Sequence, residues 1–257
     1  MIKSLCIILF LFVSSCSMQK DKLIILNIRS SGMGLQPDGM MLTINNSARL
    51  VFYNDMELYI QPLHHLNLEY IKNSNGESID EKVKSIDTLH TVFIKKKNQK
   101  SGIEYDFEKI NTDSGKPFNA DSLWETLSFY KKSSSAKNFD SDIGKPLAVI
   151  EKGNIKIEKY AMKLEIGQVD SIYRYYDKSM KDIPFSLSEK FDKQNKSKLF
   201  KILGICNEIP KGVLLPDIAV PRREFFHEMK IVVEKKPKKY LDIFKKFEED
   251  SKKLNLK

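Results

Sequence analysis

The four histidines are the residues of this sequence best suited to ligate a metal or to transfer a proton. His64 and His65 are adjacent, His90 and His227 are isolated, and no His-x-His or Cys-x-x-Cys spacing accompanies them. Adjacent residues of a strand point to opposite faces, so His64 and His65 cannot both ligate one metal without a bend. The spacing therefore predicts no metal site and no cofactor. An enzyme would need a cleft in which several carboxylates, or His64, His90 and His227, converge.

Other motifs that carry chemistry are incomplete. Gly115-Lys116-Pro117 and Gly144-Lys145-Pro146 differ from a phosphate loop, because proline replaces the Ser or Thr and removes an amide that would bind phosphate. Ser31 lacks the glycine on each side that a nucleophile elbow requires. The sequence identifies no catalytic residue and favours a non-catalytic protein. The alternative is an enzyme whose groups meet only in the fold.

The N-terminal segment has the composition of a secretory signal. Lys3 is followed by an apolar run of nine residues, Leu5 to Val13, and then by Ser14-Ser15-Cys16. A membrane-spanning helix needs about 20 residues, so this run is too short to be one. Small residues directly before a cysteine resemble the lipobox of bacterial lipoproteins. The resemblance covers residues 1–16 only.

The lipoprotein resemblance implies that residues 1–15 are a signal peptide and that Cys16 is the lipidated first residue of the mature chain. Each buried methylene of an acyl chain contributes about 0.8 kcal/mol, so two or three chains would hold the protein on a membrane. Ser17 is not the Asp that favours inner-membrane retention, so we expect the outer membrane. Gln19-Lys20-Asp21 resembles only part of a surface-export signal, because Lys22 follows. The periplasmic face is therefore favoured over the cell surface.

The net charge and the expected compartment restrict the classes of partner. The net charge is +9, and residues 181–257 hold 19 Lys and Arg against 12 Asp and Glu. Outside the cytoplasm, the candidate partners are another envelope protein, a glycan or an anionic lipid surface, and we expect no nucleic acid.

Once the signal is removed and Cys16 is lipidated, Cys206 has no cysteine to pair with. Its apolar surroundings, Ile202 to Ile205, predict a buried, inert thiol.

The pattern of the first third predicts short strands joined by turns. Leu66-Asn67-Leu68-Glu69-Tyr70 alternates strictly and is followed by the turn signal Asn73-Ser74-Asn75-Gly76. Further strands are expected over 103–107, 147–150, 155–160, 172–176 and 225–234. The loop from Pro210 to Pro221 is irregular, and we expect its apolar side chains to fold flat over the sheet. The alternative is a partner-binding loop.

Four helices are expected, three of them from Ser-x-x-Glu capping boxes. The boxes at Ser78, Ser122 and Ser186 predict helices over 79–89, 122–131 and 187–197. The first has an apolar stripe of Ile79, Val83, Ile86 and Leu89. A C-terminal amphipathic helix is expected over 238–255. Its apolar face consists of Tyr240, Ile243, Phe244, Phe247 and Leu254.

These elements predict an α+β fold, a mainly antiparallel sheet (a half-open barrel or a sandwich) flanked by about four helices. Residues 16–24 form a lipidated tether and residues 25–257 a single domain, with 131–144 as a possible boundary. We expect a lipid-anchored envelope protein that binds a partner. The runner-up is a carrier of lipid or acyl chains on a concave sheet face. It predicts a cavity lined by Phe52, Tyr59, Phe93, Phe107 and Tyr175.

Overall fold

A computed structural model describes residues 23–35, 41–120, 143–162, 169–213, 216–234 and 238–256. Within these ranges the chain forms eleven strands and two α-helices. The strands are β1 Ile24–Leu35, β2 Met41–Tyr53, β3 Met56–Lys72, β4 Ser78–Lys96, β5 Ser101–Asp106, β6 Lys116–Asn119, β7 Ala148–Lys152, β8 Ile155–Ala161, β9 Ser171–Asp177, β10 Lys198–Cys206 and β11 Arg223–Val232. The helices are α1 Glu189–Asn195 and α2 Lys238–Lys253.

All eleven strands belong to one antiparallel sheet, in the order β6-β5-β4-β3-β2-β1-β11-β10-β9-β8-β7. Strands β1 to β6 form an antiparallel meander, but its strands are longer than the short strands that the first third of the sequence predicts, since β2 has 13 residues and β3 has 17. Strand β11 then pairs with β1, from Ile25 opposite Val232 to Ser31 opposite Phe226, and joins the meander to the later strands. The mainly antiparallel sheet is therefore confirmed. The half-open barrel or sandwich stays a prediction about how this sheet curves.

Helix α2 covers one face of the central strands. Its residues Tyr240, Ile243, Phe244 and Phe247 are buried, and their spacing follows the 3.6-residue period of a helix. They pack against strand residues that include Ile25, Val51, Leu58, Ile60, Val92, Ile94, Ile103 and Tyr105. The predicted C-terminal helix and its apolar face are confirmed. Only Leu254 differs, since it lies beyond the helix and is exposed.

A segment that contains helix α1 covers the opposite face. Its apolar residues Met180 and Phe185 pack on a cluster from four strands, comprising Leu26, Ile28, Ala48, Leu50, Phe52, Tyr59 and Met229. The side chain of Ser188 accepts a hydrogen bond from the backbone N–H of Phe191, so α1 begins at Glu189. It ends at Asn195, where Lys196 adopts a left-handed φ of 50°. The helix predicted over 187–197 is thus present but shorter.

The helix predicted over 79–89 is wrong, because this segment belongs to strand β4. Its capping box and apolar stripe do fit a helix, but strand β3 offers a partner with matching alternation, and the two strands pair from Met56 opposite Lys96 to Lys72 opposite Ser78. Bulges near Asn67 and Ile71 adjust the register. Pairing with a distant segment therefore overrides the local period.

The remaining predicted helix, over 122–131, lies outside the described residues, as does most of the predicted boundary at 131–144. The expectation of four flanking helices is not supported, since the described ranges contain two. In these ranges no helix has both the length and the apolar character that crossing a bilayer requires.

Candidate interaction surfaces

Strands β3 and β4 extend beyond the rest of the sheet as a two-stranded ribbon, which we call the arm (residues 63–89). Strand β2 pairs with β3 only as far as Ile60, and β5 pairs with β4 only from Thr91 onward. Within the described part of the chain, the two strands of the arm therefore pair only with each other. At about 3.4 Å per residue, the stretch from Leu63 to Lys72 extends about 30 Å.

The tip of the arm is closed by the side chain of Asn73. Its Oδ1 atom accepts hydrogen bonds from the backbone N–H groups of Asn75 (2.9 Å) and Glu77 (3.0 Å). Its Nδ2 atom donates to Glu77 Oε2 at 2.9 Å. Gly76 supplies a positive φ of 82°, which residues with a Cβ rarely adopt. These bonds fix where the chain reverses, and with it the register of the arm.

Large apolar side chains on the arm are exposed to solvent. They are Leu63, Leu68, Tyr70, Ile71, Ile79, Val83 and Leu89. Leu68 lies opposite Val83 and Leu63 opposite Leu89, so some of them form cross-strand pairs. A ribbon of two strands is only marginally stable alone, and an exposed apolar cluster of this size is typical of an interaction site.

Polar cross-strand bonds hold the arm together between the apolar pairs. His64 Nδ1 lies 3.0 Å from Thr88 Oγ1, within hydrogen-bond distance. Asn67 Nδ2 donates to Ser85 Oγ at 2.8 Å and to Asp87 Oδ2 at 3.0 Å. These bonds are exposed, so each contributes little to stability, but together they keep the two strands in one register.

The arm is acidic, although the whole chain is basic. Residues 63–89 contain five Asp and Glu against three Lys, whereas the chain as a whole carries a net charge of +9. The arm also presents two strand edges that have no partner strand among the described residues. Unpaired edges offer backbone donors and acceptors to an incoming strand. The arm thus combines open backbone groups, apolar side chains and negative charge.

A second surface is a cleft on the face of the sheet that carries α1. Strands β2 and β3 form one wall through Phe52, Glu57 and Tyr59, and residues 181–198 form the other. Its volume is about 770 Å³, within the range of about 300–1,000 Å³ that small-molecule sites occupy. The cleft is therefore large enough for a small ligand.

Two buried ion pairs contribute to the walls of this cleft, which is lined by Glu57 of one pair and by Asp192 and Lys198 of the other. Lys95 Nζ is 2.7 Å from Glu57 Oε2, and the Tyr59 hydroxyl donates to the same oxygen at 3.0 Å. In the other wall, Lys198 Nζ is 3.0 Å from Asp192 Oδ2. All four charged side chains are at most 16% exposed. Each pair is therefore largely removed from water, where charged hydrogen bonds are strong.

Asp192 is held rigidly by its neighbours. Ser186 Oγ donates to Asp192 Oδ2 at 2.7 Å, and the backbone N–H of Leu199 donates to Oδ1 at 2.7 Å. These bonds tie the residue before α1, the helix itself and the start of β10 to one carboxylate. The wall of the cleft is thus fixed in position by bonds that do not depend on a ligand.

Beside the cleft, a buried polar cluster anchors α1 to the sheet. The Arg174 guanidinium lies 3.7 Å from the centre of the Phe191 ring. Burial alone would raise the pKa of Glu158, but hydrogen bonds from Lys156 and Tyr160 hold that pKa below its ordinary value. Burial and the adjacent Glu158 raise the pKa of Tyr160 to about 12. Glu158 therefore stays ionised beneath α1.

The histidines do not converge. His64 and His65 occupy successive positions of β3, and His90 follows in β4, opposite Pro62. His227 lies in β11, opposite Ser30 of β1, and burial lowers its pKa. No three His, Cys, Asp or Glu residues of the described ranges group to hold a metal. The convergence of the three histidines that the enzyme hypothesis names is not seen, whereas several carboxylates, its other candidates, do line the cleft.

The other residues singled out in the sequence are dispersed. Cys16 lies outside the described residues, whereas Cys206 is buried and burial raises its pKa, as an inert thiol requires. In the loop from Pro210 to Pro221, Val220 is buried and pairs with Ile209, but Val213 is exposed. Residues 214 and 215 lie outside the described ranges. The loop is therefore at least partly packed against the protein.

Of the five aromatic residues predicted to line one cavity, Phe52 and Tyr59 line the cleft. Phe93 packs in the same apolar cluster, whereas Phe107 belongs to the cluster under α2. Tyr175 lies on β9, next to Phe200. The charged residues of the cleft were not identified from the sequence, because nothing distinguishes them from other Lys, Asp and Glu residues.

No model of a known protein family matches this chain, and no curated protein matches it either.

Proposed function

We propose that this protein is a lipid-anchored protein of the cell envelope, held through Cys16, that binds another envelope protein through the arm. The observation that carries the proposal is the exposed apolar cluster on a ribbon with two open strand edges. Proteins commonly bind extended segments by adding a strand to such an edge. The function is that of a binding protein, without a catalytic step. The outer membrane, periplasmic face, is the proposed location.

The size of the arm supports a protein partner. A ribbon about 30 Å long and two strands, or about 10 Å, wide offers about 300 Å² on each face. Two faces and one edge together approach the roughly 800 Å² that each partner contributes to a stable interface. A small ligand would leave most of this surface exposed.

The charge of the arm supports a basic partner rather than a lipid surface. Its five acidic residues outnumber its three lysines, so an anionic bilayer would repel it. The proposed occupant is a strand of another protein that has alternate apolar residues and basic residues on its flanks. Apolar side chains would then cover Leu68 and Tyr70, and lysines or arginines would face Glu69, Glu77 and Glu81.

The test is photocrosslinking in intact envelopes that contain the full, lipidated chain. A photoreactive phenylalanine replaces Tyr70 in the arm, and the matched control replaces exposed Val149 on the edge strand β7. We expect one discrete adduct with a different protein from position 70 and none from position 149. Leu68→Gln should reduce the yield at least fivefold, whereas Val233→Gln, an exposed apolar change in the body, should not. Adducts with lipid, an adduct of two copies of this chain, or equal yields from both positions would overturn the proposal.

A further inference from the structure

The cleft between the sheet and the α1 segment is a second surface, separate from the arm, and its lining indicates what it could bind. Its described lining contains four acidic residues, Glu57, Asp182, Glu189 and Asp192, and four lysines, Lys181, Lys193, Lys196 and Lys198. The balance of charge argues against a ligand that is recognised as an anion or a cation. A ligand without net charge would not bring an excess of one charge next to side chains of the same sign.

The two walls also argue against an acyl chain. Ionic and hydroxyl groups interrupt the apolar lining on both sides of the cleft. A methylene chain lying there would cover the exposed charged side chains of the lining, among them Lys181, Asp182 and Glu189, without forming hydrogen bonds to them. Removing charged groups from water without new partners is costly. The ligand must therefore carry many hydroxyl groups.

Hydroxyl groups suit an ion pair because each one both donates and accepts. One ligand hydroxyl can donate to a carboxylate oxygen and accept from the lysine of the same pair. Phe52 and Phe185 add apolar surface to the lining, against which the C–H groups of a sugar ring can pack. We propose that the cleft binds a neutral saccharide, with Glu57 and Asp192 as hydrogen-bond acceptors and Lys198 as a donor.

Hydrogen bonds within the protein hold the carboxylates of both walls in position before a ligand binds. Ser186 and the Leu199 amide hold Asp192, and Tyr59 holds Glu57. A site whose groups are fixed before binding loses less entropy when the ligand arrives. Specificity for the orientation of sugar hydroxyls follows from these fixed directions.

The test uses the full lipidated chain in a sugar-free detergent. Saturation-transfer NMR is recorded with maltotriose and with the trimer of N-acetylglucosamine, and glucose 6-phosphate and dodecanoate serve as charged and acyl probes. We expect at least one neutral trisaccharide to bind and both other probes to fail. Binding of glucose 6-phosphate or dodecanoate instead, or no binding of either trisaccharide, overturns the proposal.

Variants then place the bound sugar in the cleft. Glu57→Gln keeps the size of the side chain but removes its charge, and should weaken binding at least tenfold. Glu228→Gln alters a buried acid outside the cleft, paired with Lys230 at 3.1 Å, and should leave the affinity within twofold. If Glu57→Gln fails to fold, Ser186→Ala removes a hydroxyl that holds Asp192 and should weaken binding at least threefold. Unchanged affinity in a folded variant of either residue overturns the assignment.

Discussion

The carboxylate of Asp250 fastens helix α2 to the sheet, so its removal is expected to destabilise the protein. The residue is 2% exposed, although it is charged. It accepts hydrogen bonds from Lys246 Nζ at 2.8 Å, Lys253 Nζ at 3.2 Å and the Tyr105 hydroxyl at 3.3 Å. Burial alone would raise the pKa of Asp250, but the bonds from the two lysines outweigh it and lower that pKa. Burial and the neighbouring carboxylate raise the pKa of Tyr105 well above its ordinary value.

The size of the effect follows from what each partner loses. Asp250→Ala leaves the buried Tyr105 hydroxyl without its acceptor, which costs about 1–3 kcal/mol. Lys246 and Lys253 are partly exposed and can turn to water, so the loss stays below the roughly 3–5 kcal/mol of a fully buried pair. Alanine regains about 0.5 kcal/mol as a better helix former. We expect Asp250→Ala to lower the free energy of unfolding by about 2 kcal/mol.

Urea unfolding measures this loss. The matched control is Glu249→Ala, which removes an exposed acid from the adjacent position and should change stability by less than about 0.5 kcal/mol. The m-value should stay constant, so the loss appears as a lower midpoint. A midpoint for Asp250→Ala equal to that of the control would refute the reasoning.

The pH dependence provides a second measurement on the same residue. Because the pKa of Asp250 in the folded protein is below its ordinary value of 3.8, its stabilising effect is complete above that value. It is lost as the pH falls through the lower folded-state pKa. The stability difference between wild type and Asp250→Asn should therefore be constant above about pH 5 and shrink in stronger acid. A difference that grows on acidification would contradict the sign.

Three further outcomes are expected. Gly115→Ala should lower the free energy of unfolding in urea by about 3 kcal/mol, because Gly115 has a φ of +70° and a Cβ there would contact the Tyr105 side chain. At Gly153 a Cβ would have no neighbour within 4 Å, so Gly153→Ala should lower it by only about 1 kcal/mol. Cys206 should react with a thiol reagent at least a hundredfold more slowly in the folded than in the unfolded protein, because it is buried and its pKa is raised. Replacement of residues 62–90 by Asn-Gly should change the unfolding free energy by less than about 1 kcal/mol, since the apolar side chains of the arm are largely exposed.

Elements whose local pattern agrees with their packing were predicted from the sequence. Helix α2 presents one apolar face at the helical period, and the same face packs on the sheet. The alternation of apolar and polar residues predicts strands over 66–70 and 103–107. Residues 66–70 and 103–106 do pair with neighbouring strands, so the local pattern agrees with the structure there. The strands predicted over 147–150 and 155–160 correspond to β7 and β8, which pair as a hairpin whose turn contains Gly153 at a φ of 59°.

The failures arise where distant residues decide the structure. Residues 79–89 have a helical stripe and a capping box, but pairing with β3 makes them a strand. Strand β10 was not predicted, although its pattern of buried residues is nearly continuous, because a short apolar run does not distinguish a strand from a buried helix. Asp250 lies on the apolar face of α2, seven positions after Ile243, and the sequence does not show that Tyr105 would bond a carboxylate there.

The candidate surfaces were even less accessible from sequence. Glu57 and Asp192 are 135 positions apart in the chain, and no local motif connects them. The sequence predicts part of the arm, because the alternation from Leu66 to Tyr70 indicates a strand and the residues that follow indicate a turn. Its protrusion was not, because that depends on where β2 and β5 stop pairing with it.

The topology places the tip of the arm far from the start of β1. Strand β1 begins at Ile24, opposite Phe52, and β3 begins nearby at Met56. From Met56 the chain runs 17 residues to Asn73 at the tip of the arm, about 55 Å at the usual rise per residue. With Cys16 lipidated, as we propose, the seven residues before Ile24 span at most about 28 Å. The tip of the arm therefore lies at the end of β3 that is distant from the start of β1, whereas Phe52, in the wall of the cleft, lies opposite Ile24 at that start.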